Sequence, residues 1–435
     1  MPEKLPDHDR DNSSSGVIIA GAGPTGLLLG NLLGAAGRRV TILEAALRPG
    51  PVEESRAIGI TPPSLEILEE AGLIEDFLGS GLPIHHAVVH GTRRFLGALS
   101  FSGVHPRFPF ILSLPQQVTC SLLREGLRRY PQVEFQPGRR VQRITPASPG
   151  MTVSCSDGSS WRSRYILGAD GLRSTVAEEA GISRRVHRYR QSFFMADFPD
   201  AGEFGTDAHL WFTPGGAVES FPLPGEKRRW IVQLPPEEAH FDQVSPDLEA
   251  LVLARTGFVL DRTQRLWESP FHPARTEADR FWQGPIFLAG DAAHTMSPIG
   301  GQGMNTGFAD AELLAAVVEH LFQDQRQDEK PATPGRYQRV RRRAGRSAAN
   351  RAALGMGLGT LRGYITSLAR NALVAFLLSP PFQRFTARHF AMRTIPRGRR
   401  SSALRPGPGR FVFSCLSPVT KVLSSGHERK KSPGR

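Results

Sequence analysis

Cysteine is scarce in this 435-residue chain, which holds only Cys120, Cys155 and Cys415. Three widely spaced thiols make neither a metal cluster nor a disulfide framework. They read as buried side chains in a reducing cytoplasm, the expected location. No uninterrupted apolar run approaches the roughly 18 residues that span a bilayer. Residues 1–15 lack the apolar core of a signal peptide and are expected to form a disordered leader. Zinc-finger spacing is missing, as is a basic region followed by heptads. The net charge of +13 therefore does not imply nucleic-acid binding, and its excess gathers in residues 336–346 and from Arg397 onward. Between Lys4 and Lys227 there is no lysine.

What is present suits a large globular chain. Apolar residues make up 40% and aromatics 8%, and the length exceeds what one core usually organises. Residues 17–20 form a short apolar strand ending at Gly21, residues 27–36 a helix closed by Gly37, and residues 39–43 a second strand. Between the first strand and the helix lies Gly21-Ala22-Gly23-Pro24-Thr25-Gly26, a G-x-G-x-x-G loop in βαβ context. Gly21 permits the turn, Gly23 lets the backbone approach a pyrophosphate, and Gly26 lets helix and strand pack closely. The helix N-terminus meets the phosphate charge. Glu44, at the end of the second strand, can accept from both ribose hydroxyls and would repel a 2′-phosphate, so the site suits FAD or NAD.

Two further blocks repeat the pattern of a buried strand running into an acid. Residues 165–171 end in Asp170-Gly171, and residues 286–289 run into Gly290-Asp291. A glycine-rich stretch from Pro298 to Gly303 then leads through Met304 and Asn305 into a helix expected over residues 310–322. Residues 193–198, 209–213, 218–222 and 229–234 read as antiparallel strands, and residues 344–394 as helical with an interruption at Pro380-Pro381. The glycines of residues 355–359 fall among helical segments and read as a packing region.

These three blocks, in order, resemble the signatures of the class A flavoprotein monooxygenases, the p-hydroxybenzoate hydroxylase-like family. The resemblance spans residues 16–322. It implies an α/β fold, with a Rossmann-type FAD-binding domain interrupted by a mostly antiparallel β-sheet substrate domain and followed by C-terminal helices. On that pattern residues 16–85, 114–185 and 279–345 form the FAD-binding domain, and 86–113 and 186–278 the substrate domain. Residues 346–396 are the C-terminal helices and 397–435 a basic, mostly disordered tail, with 411–422 as its ordered part.

The resemblance implies cofactor contacts at Gly21, Gly23, Gly26, Glu44, Arg56, Gln116, Asp170, Asp291, Gly303, Met304 and Asn305. Trp211, Phe221, Arg229 and Pro298 are the expected substrate neighbours. Alternation puts Arg229 and Trp230 on opposite faces, so at most one points inward. His294 is read as structural. Cys120 stands where many members have Glu, and Ala177 where many have Arg, so the reductant is left as NADH or NADPH. The implied activity is insertion of one oxygen atom from O2, through a flavin C4a-hydroperoxide, into a small aromatic, polyketide-like or unsaturated lipophilic substrate.

No residue is assigned a separate catalytic role, because the flavin carries the chemistry. A peripheral membrane contact through residues 363–385 is carried as an expectation. The alternatives are a flavin-dependent reductase of isoprenoid double bonds and a non-catalytic FAD-binding protein. A flavin-dependent halogenase is disfavoured by the missing lysine and the missing Trp-x-Trp-x-Ile-Pro segment.

Overall fold

The computed structural model describes residues 15–48, 57–92, 94–236, 246–298, 300–323 and 333–397. The expected leader up to residue 14, Arg56, Cys415 and the expected ordered stretch 411–422 lie outside the described residues.

Val17, Ile18 and Ile19 are fully buried in the strand Ser15–Ala20, which lies inside an eight-stranded sheet. Six of its strands run, from one edge, in the order Trp282–Gln283, Ile286–Leu288, Ser160–Gly168, Ser15–Ala20, Val40–Glu44 and Val133–Pro137, and Met151–Cys155 and Val141–Pro146 extend Ser160–Gly168 as an antiparallel branch. All but the first of the six run parallel to one another. A parallel sheet is covered on both faces, which is why these strands read as unbroken apolar runs. The register aligns Ala20 with Leu43 and Gly168, and Gly168 with Leu288. Gly21, Glu44, Asp170 and Asp291 therefore gather at one carboxyl edge, where open α/β sheets bind ligands.

Helix Pro24–Ala35 packs on helix Gln302–Gln323 at glycine contacts. A Cβ on Gly307 would lie 2.3 Å from Thr25 Oγ1, so only glycine allows that approach. The later helix begins at Gln302, well before the expected start, because Asn305 ties its first turn into the fold. The Asn305 amide donates to Gly59 O and Gly301 O at 2.8 and 2.7 Å. Its carbonyl accepts from Thr61 N–H at 2.9 Å.

The second large sheet has seven strands. Their order is Trp267–Phe271, Phe193–Pro199, Lys227–Gln233, Gly216–Leu223, Ala208–Thr213, His86–His90 and Phe95–Ser100. Only the pair Ala208–Thr213 with His86–His90 is parallel. One face, formed by Phe194, Phe198, Trp211, Val218 and Trp230, is sealed by Leu248 and Val252 of helix Leu248–Thr256. The other face carries Met195, Leu210, Phe212, Glu219, Phe221 and Ile231 by alternation. There Phe221 and Ile111 pack against one buried cluster that includes Ile84, Val89 and Leu99. Strand Ile111–Ser113 pairs with Gly59–Ile60, whose Gly59 holds Asn305. This inner face thus looks toward the glycine-rich turn at Gly300 and Gly301.

Three helices close the described chain, Pro334–Gly359, Tyr364–Leu377 and Pro380–Phe390. Pro380 and Pro381 open the last helix, a position where a missing N–H costs little. The 355–359 glycines lie inside the first helix, and a Cβ on Gly359 would stand 3.2 Å from the Phe212 ring. The basic stretch 336–346 is partly internal. Arg341 is fully buried, and Arg342 and Arg346 bind Glu277. Helix Tyr364–Leu377 is turned inside out, burying Ser367 and Arg370 while exposing Tyr364, Ile365, Leu368 and Phe376. Among the described residues no helix is long and apolar enough to cross a membrane.

Candidate active site

The glycine loop shows three separate steric roles. Gly21 has φ +97°, and a Cβ there would fall 2.4 Å from Ala169 O. At Gly26 a Cβ would fall 2.0 Å from Gly21 O. At Gly23 it would meet nothing within 4 Å. The first two glycines let backbone touch backbone, and the third leaves a clear approach to the N-terminus of helix Pro24–Ala35. That N-terminus has no side-chain cap, so its N–H groups can meet an anion. The Ala22 and Ala46 N–H groups donate to the two Glu44 oxygens at 2.7 and 2.8 Å. They fix the carboxylate beside the loop.

Asp170 accepts from Val176 N–H at 3.0 Å through one oxygen, while its other oxygen is buried without a partner. Burial raises this carboxyl above its ordinary value, against hydrogen bonds from Ser174 and the Val176 backbone. Asp291 is exposed at the surface of the crevice. Gly303 offers open space, since a Cβ there meets nothing within 4 Å. Met304 beside it is half-buried. Gln116 opens helix Gln116–Leu127 and is half-buried, its N–H donating to Ala57 O at 2.9 Å. One turn along, burial pushes the Cys120 thiol up to about 12, so it stays protonated. Pro298 is exposed, its carbonyl accepting from Gly301 N–H at 2.9 Å in the turn before the helix. Open space over two glycines, an uncapped helix end and an orphaned carboxylate oxygen together fit a dinucleotide.

Behind this crevice lies a buried charge cluster. Asp310, fully buried in helix Gln302–Gln323, meets His294 Nε2 at 2.7 Å and accepts from Gly290 N–H at 2.9 Å and Arg341 Nε at 2.6 Å. Burial alone would raise its carboxyl, yet His294 and Arg341 hold it below the ordinary carboxylate range. His294 is thereby a structural side chain, stacked on Phe281 with ring centroids 5.5 Å apart. Asn305 differs from the expected cofactor contact, because both ends of its side chain are engaged inside the protein. What it offers a ligand is backbone.

Two expected substrate neighbours are also placed elsewhere. Trp211 is on the sealed face of the seven-stranded sheet, stacked on Trp230 at 5.6 Å. The alternation of strand Ala208–Thr213 turns Phe212, not Trp211, inward. Arg229 is on the inner face, but Asp197 fills its fork with bonds of 2.7 and 2.8 Å. Its guanidinium also lies 4.3 Å from the Trp267 ring centroid, and the residue is 1% exposed. Phe221 is inward and half-buried, as expected.

A family model described as "FAD binding domain" matches residues 14–352. The chain belongs to this family. It is a flavoprotein of the class A monooxygenase type, an FAD-dependent enzyme. It is 29% identical to an uncharacterized aromatic compound monooxygenase of Bacillus subtilis, over 94% of this chain and 84% of that one. It is 33% identical to the rifampicin monooxygenase of Streptomyces venezuelae, over 68% of this chain and 62% of that one. The solved structure of p-nitrophenol 4-monooxygenase from Pseudomonas putida superposes with a TM-score of 0.80 at 23% identity, over 89% of this chain and 99% of that one, a likeness of fold.

For this FAD-dependent monooxygenase, the residues that sequence reasoning missed are Asp310, Arg341, Asp197 and Glu219. Glu219 alone left a signal, as the one acid on the face that Ala217 and Phe221 share in strand Gly216–Leu223.

Proposed function

We propose that the chain inserts one oxygen atom from O2 into an aromatic substrate held against the inner face of the seven-stranded sheet. Partial exposure on that face carries the reading. Leu210, Phe212, Phe221 and Ile231 are all only half-buried, whereas Trp211, Val218, Trp230 and Val232 opposite them are buried. An apolar floor turned toward the Gly300-Gly301 turn suits a flat ring, and the aromatic compound monooxygenase among its relatives supports the same class.

FAD, when bound, supplies electrons taken from NADH or NADPH and the activation of O2. The chain's own residues hold and shield it. Gly23 and the helix N-terminus behind it would take the pyrophosphate, and Glu44 the ribose. Asp170 and Asp291 would bind the polar middle of the cofactor. Gly303, Met304 and Gln116 would line its ring. Phe221, Phe212 and the covering helices keep water from the reacting carbon.

Glu44→Ala is expected to weaken FAD binding roughly ten- to hundredfold, since a charge-assisted acceptor is lost. Fluorescence titration of apoprotein checks it, and unchanged affinity would place the ribose elsewhere. The function is tested by oxygen uptake with NADH and with NADPH across a panel of phenols, beside a peroxide assay. We expect some phenols to accelerate uptake and to gain one oxygen atom. Uptake recovered wholly as hydrogen peroxide with every aromatic compound would refute the reading.

A further inference from the structure

Glu219 is out of character with its surroundings. The register sets it in a row that crosses the inner face as Ser269, Met195, Ile231, Glu219, Leu210 and Val89. It is the only ionisable side chain in that row, and only 9% of it is exposed. Among the described residues, none hydrogen-bonds its carboxyl or forms an ion pair with it.

The charged groups nearby are engaged elsewhere. Arg229 and Asp197 on the same face pair with each other. Strands Leu82–Ile84 and Ile111–Ser113, which pack against this strand, bring no ionisable side chain. Arg370 of helix Tyr364–Leu377 lies over the Phe212 ring and donates to Leu361 O at 2.7 Å, with its Nη2 buried without a partner and no ion pair to Glu219. Helix Leu248–Thr256 packs on the opposite face, where Glu249 binds Arg265, and Arg255 reaches Gln233 O at 2.6 Å.

Burial pushes the Glu219 carboxyl up to about 7. An unpartnered acid in apolar surroundings lowers stability, and a leucine of similar volume would avoid that cost. Such a group is retained where a ligand completes it. Its neighbours on either side, Leu210 and Ile231, are half-buried, so the row around the carboxylate is not fully sealed.

We propose that Glu219 is the specificity-determining residue of the substrate site, its carboxylate accepting the hydrogen bond of a phenolic hydroxyl on a ring seated against Leu210, Phe212, Phe221 and Ile231. The inference rests on the aromatic-substrate reading. Its chemistry has two consequences. A hydrogen bond to a carboxylate draws the phenolic proton outward and enriches the ring at its ortho and para carbons, where an electrophilic oxygen adds. A substrate carrying its own carboxylate at that point would be repelled, so neutral phenols are preferred over benzoates.

The test uses the FAD-loaded enzyme and matched ligand pairs, 2-naphthol with 2-methoxynaphthalene and monocyclic phenols with their methyl ethers. Binding is measured by equilibrium dialysis. The wild type is expected to hold each phenol about ten- to hundredfold more tightly than its ether. Glu219→Leu should bring that ratio close to one by weakening the phenol alone, and Glu219→Gln, still an acceptor, should keep part of it. The wild-type ratio should grow as pH rises through about 7, where the carboxyl ionises, and should stay flat in both variants.

Thermal unfolding supplies a readout that a structural role would move the other way. Glu219→Leu is expected to raise Tm. A phenol preference that survives in Glu219→Leu overturns the inference and leaves the aromatic reading standing. A wild type that binds neither member of any pair overturns both.

Discussion

Gly23→Val is expected to yield a folded apoprotein that no longer retains FAD, while Gly26→Ala should destabilise the apoprotein itself. The two glycines sit three residues apart in one motif, yet a side chain meets different things at each. At Gly26 a single methyl group would fall 2.0 Å from the Gly21 carbonyl oxygen, backbone against backbone, in a helix already pressed on the Ser15–Ala20 strand. Neither partner can swing away, so overpacking should cost at least ~2 kcal/mol. At Gly23 the added side chain meets no protein atom within 4 Å. The valine would instead occupy the approach to the uncapped helix N-terminus, with an affinity loss of more than about 100-fold. Urea titration of the apoproteins and FAD fluorescence titration separate the two effects. Wild-type FAD affinity in Gly23→Val would mean that the pyrophosphate does not pass over this loop.

The second large effect is expected at Asp310. Arg341 and Asp310 are both 0% exposed, and removing one partner strands the other's charge in the interior. Asp310→Ala should therefore lose about 3–5 kcal/mol of unfolding free energy. It also frees His294 and the Gly290 N–H, so the turn that presents Asp291 should loosen and FAD affinity should fall with stability. The pH dependence has a definite sign. The folded-state carboxyl is held below its unfolded value, so its contribution is present above the ordinary carboxylate value and is lost as pH falls from there through the lower folded value. Asp310→Asn, which keeps the shape without the charge, should flatten the acid limb of a stability-against-pH curve measured from about pH 5 downward, below the ordinary carboxylate value. An acid limb identical to wild type would show that the carboxyl titrates alike in folded and unfolded chains.

The dinucleotide crevice and the antiparallel strands were legible for the same reason. The glycine loop with Glu44, the Asp170 turn and the Gly290-Asp291 turn each lie within a few residues of the strand that presents them. Local sterics and the two-residue alternation of a strand are sufficient to recognise them. The helix from Gln302 was legible only in its later turns. Its first turn is glycine-rich and depends on Asn305 reaching Gly59 and Thr61, residues remote in sequence.

The sequence by itself determined the flavin family, the βαβ unit and the antiparallel run, and the strand-end positions of Gly21, Glu44, Asp170 and Asp291. Tertiary structure alone decided which side of the seven-stranded sheet is sealed and which is left partly exposed. Alternation separates Arg229 from Trp230 and Trp211 from Phe212, but it does not say which set turns inward. That depends on helix Leu248–Thr256 sealing one face while the Ile111 strand and the C-terminal helices leave the other partly open. The same holds for charge. Arg229 looks free until Asp197 is beside it, and Glu219 looks like an ordinary surface acid until its strand is inside. An ionisable group's role is set by its partners and its solvent, and both are brought by segments far away in the chain.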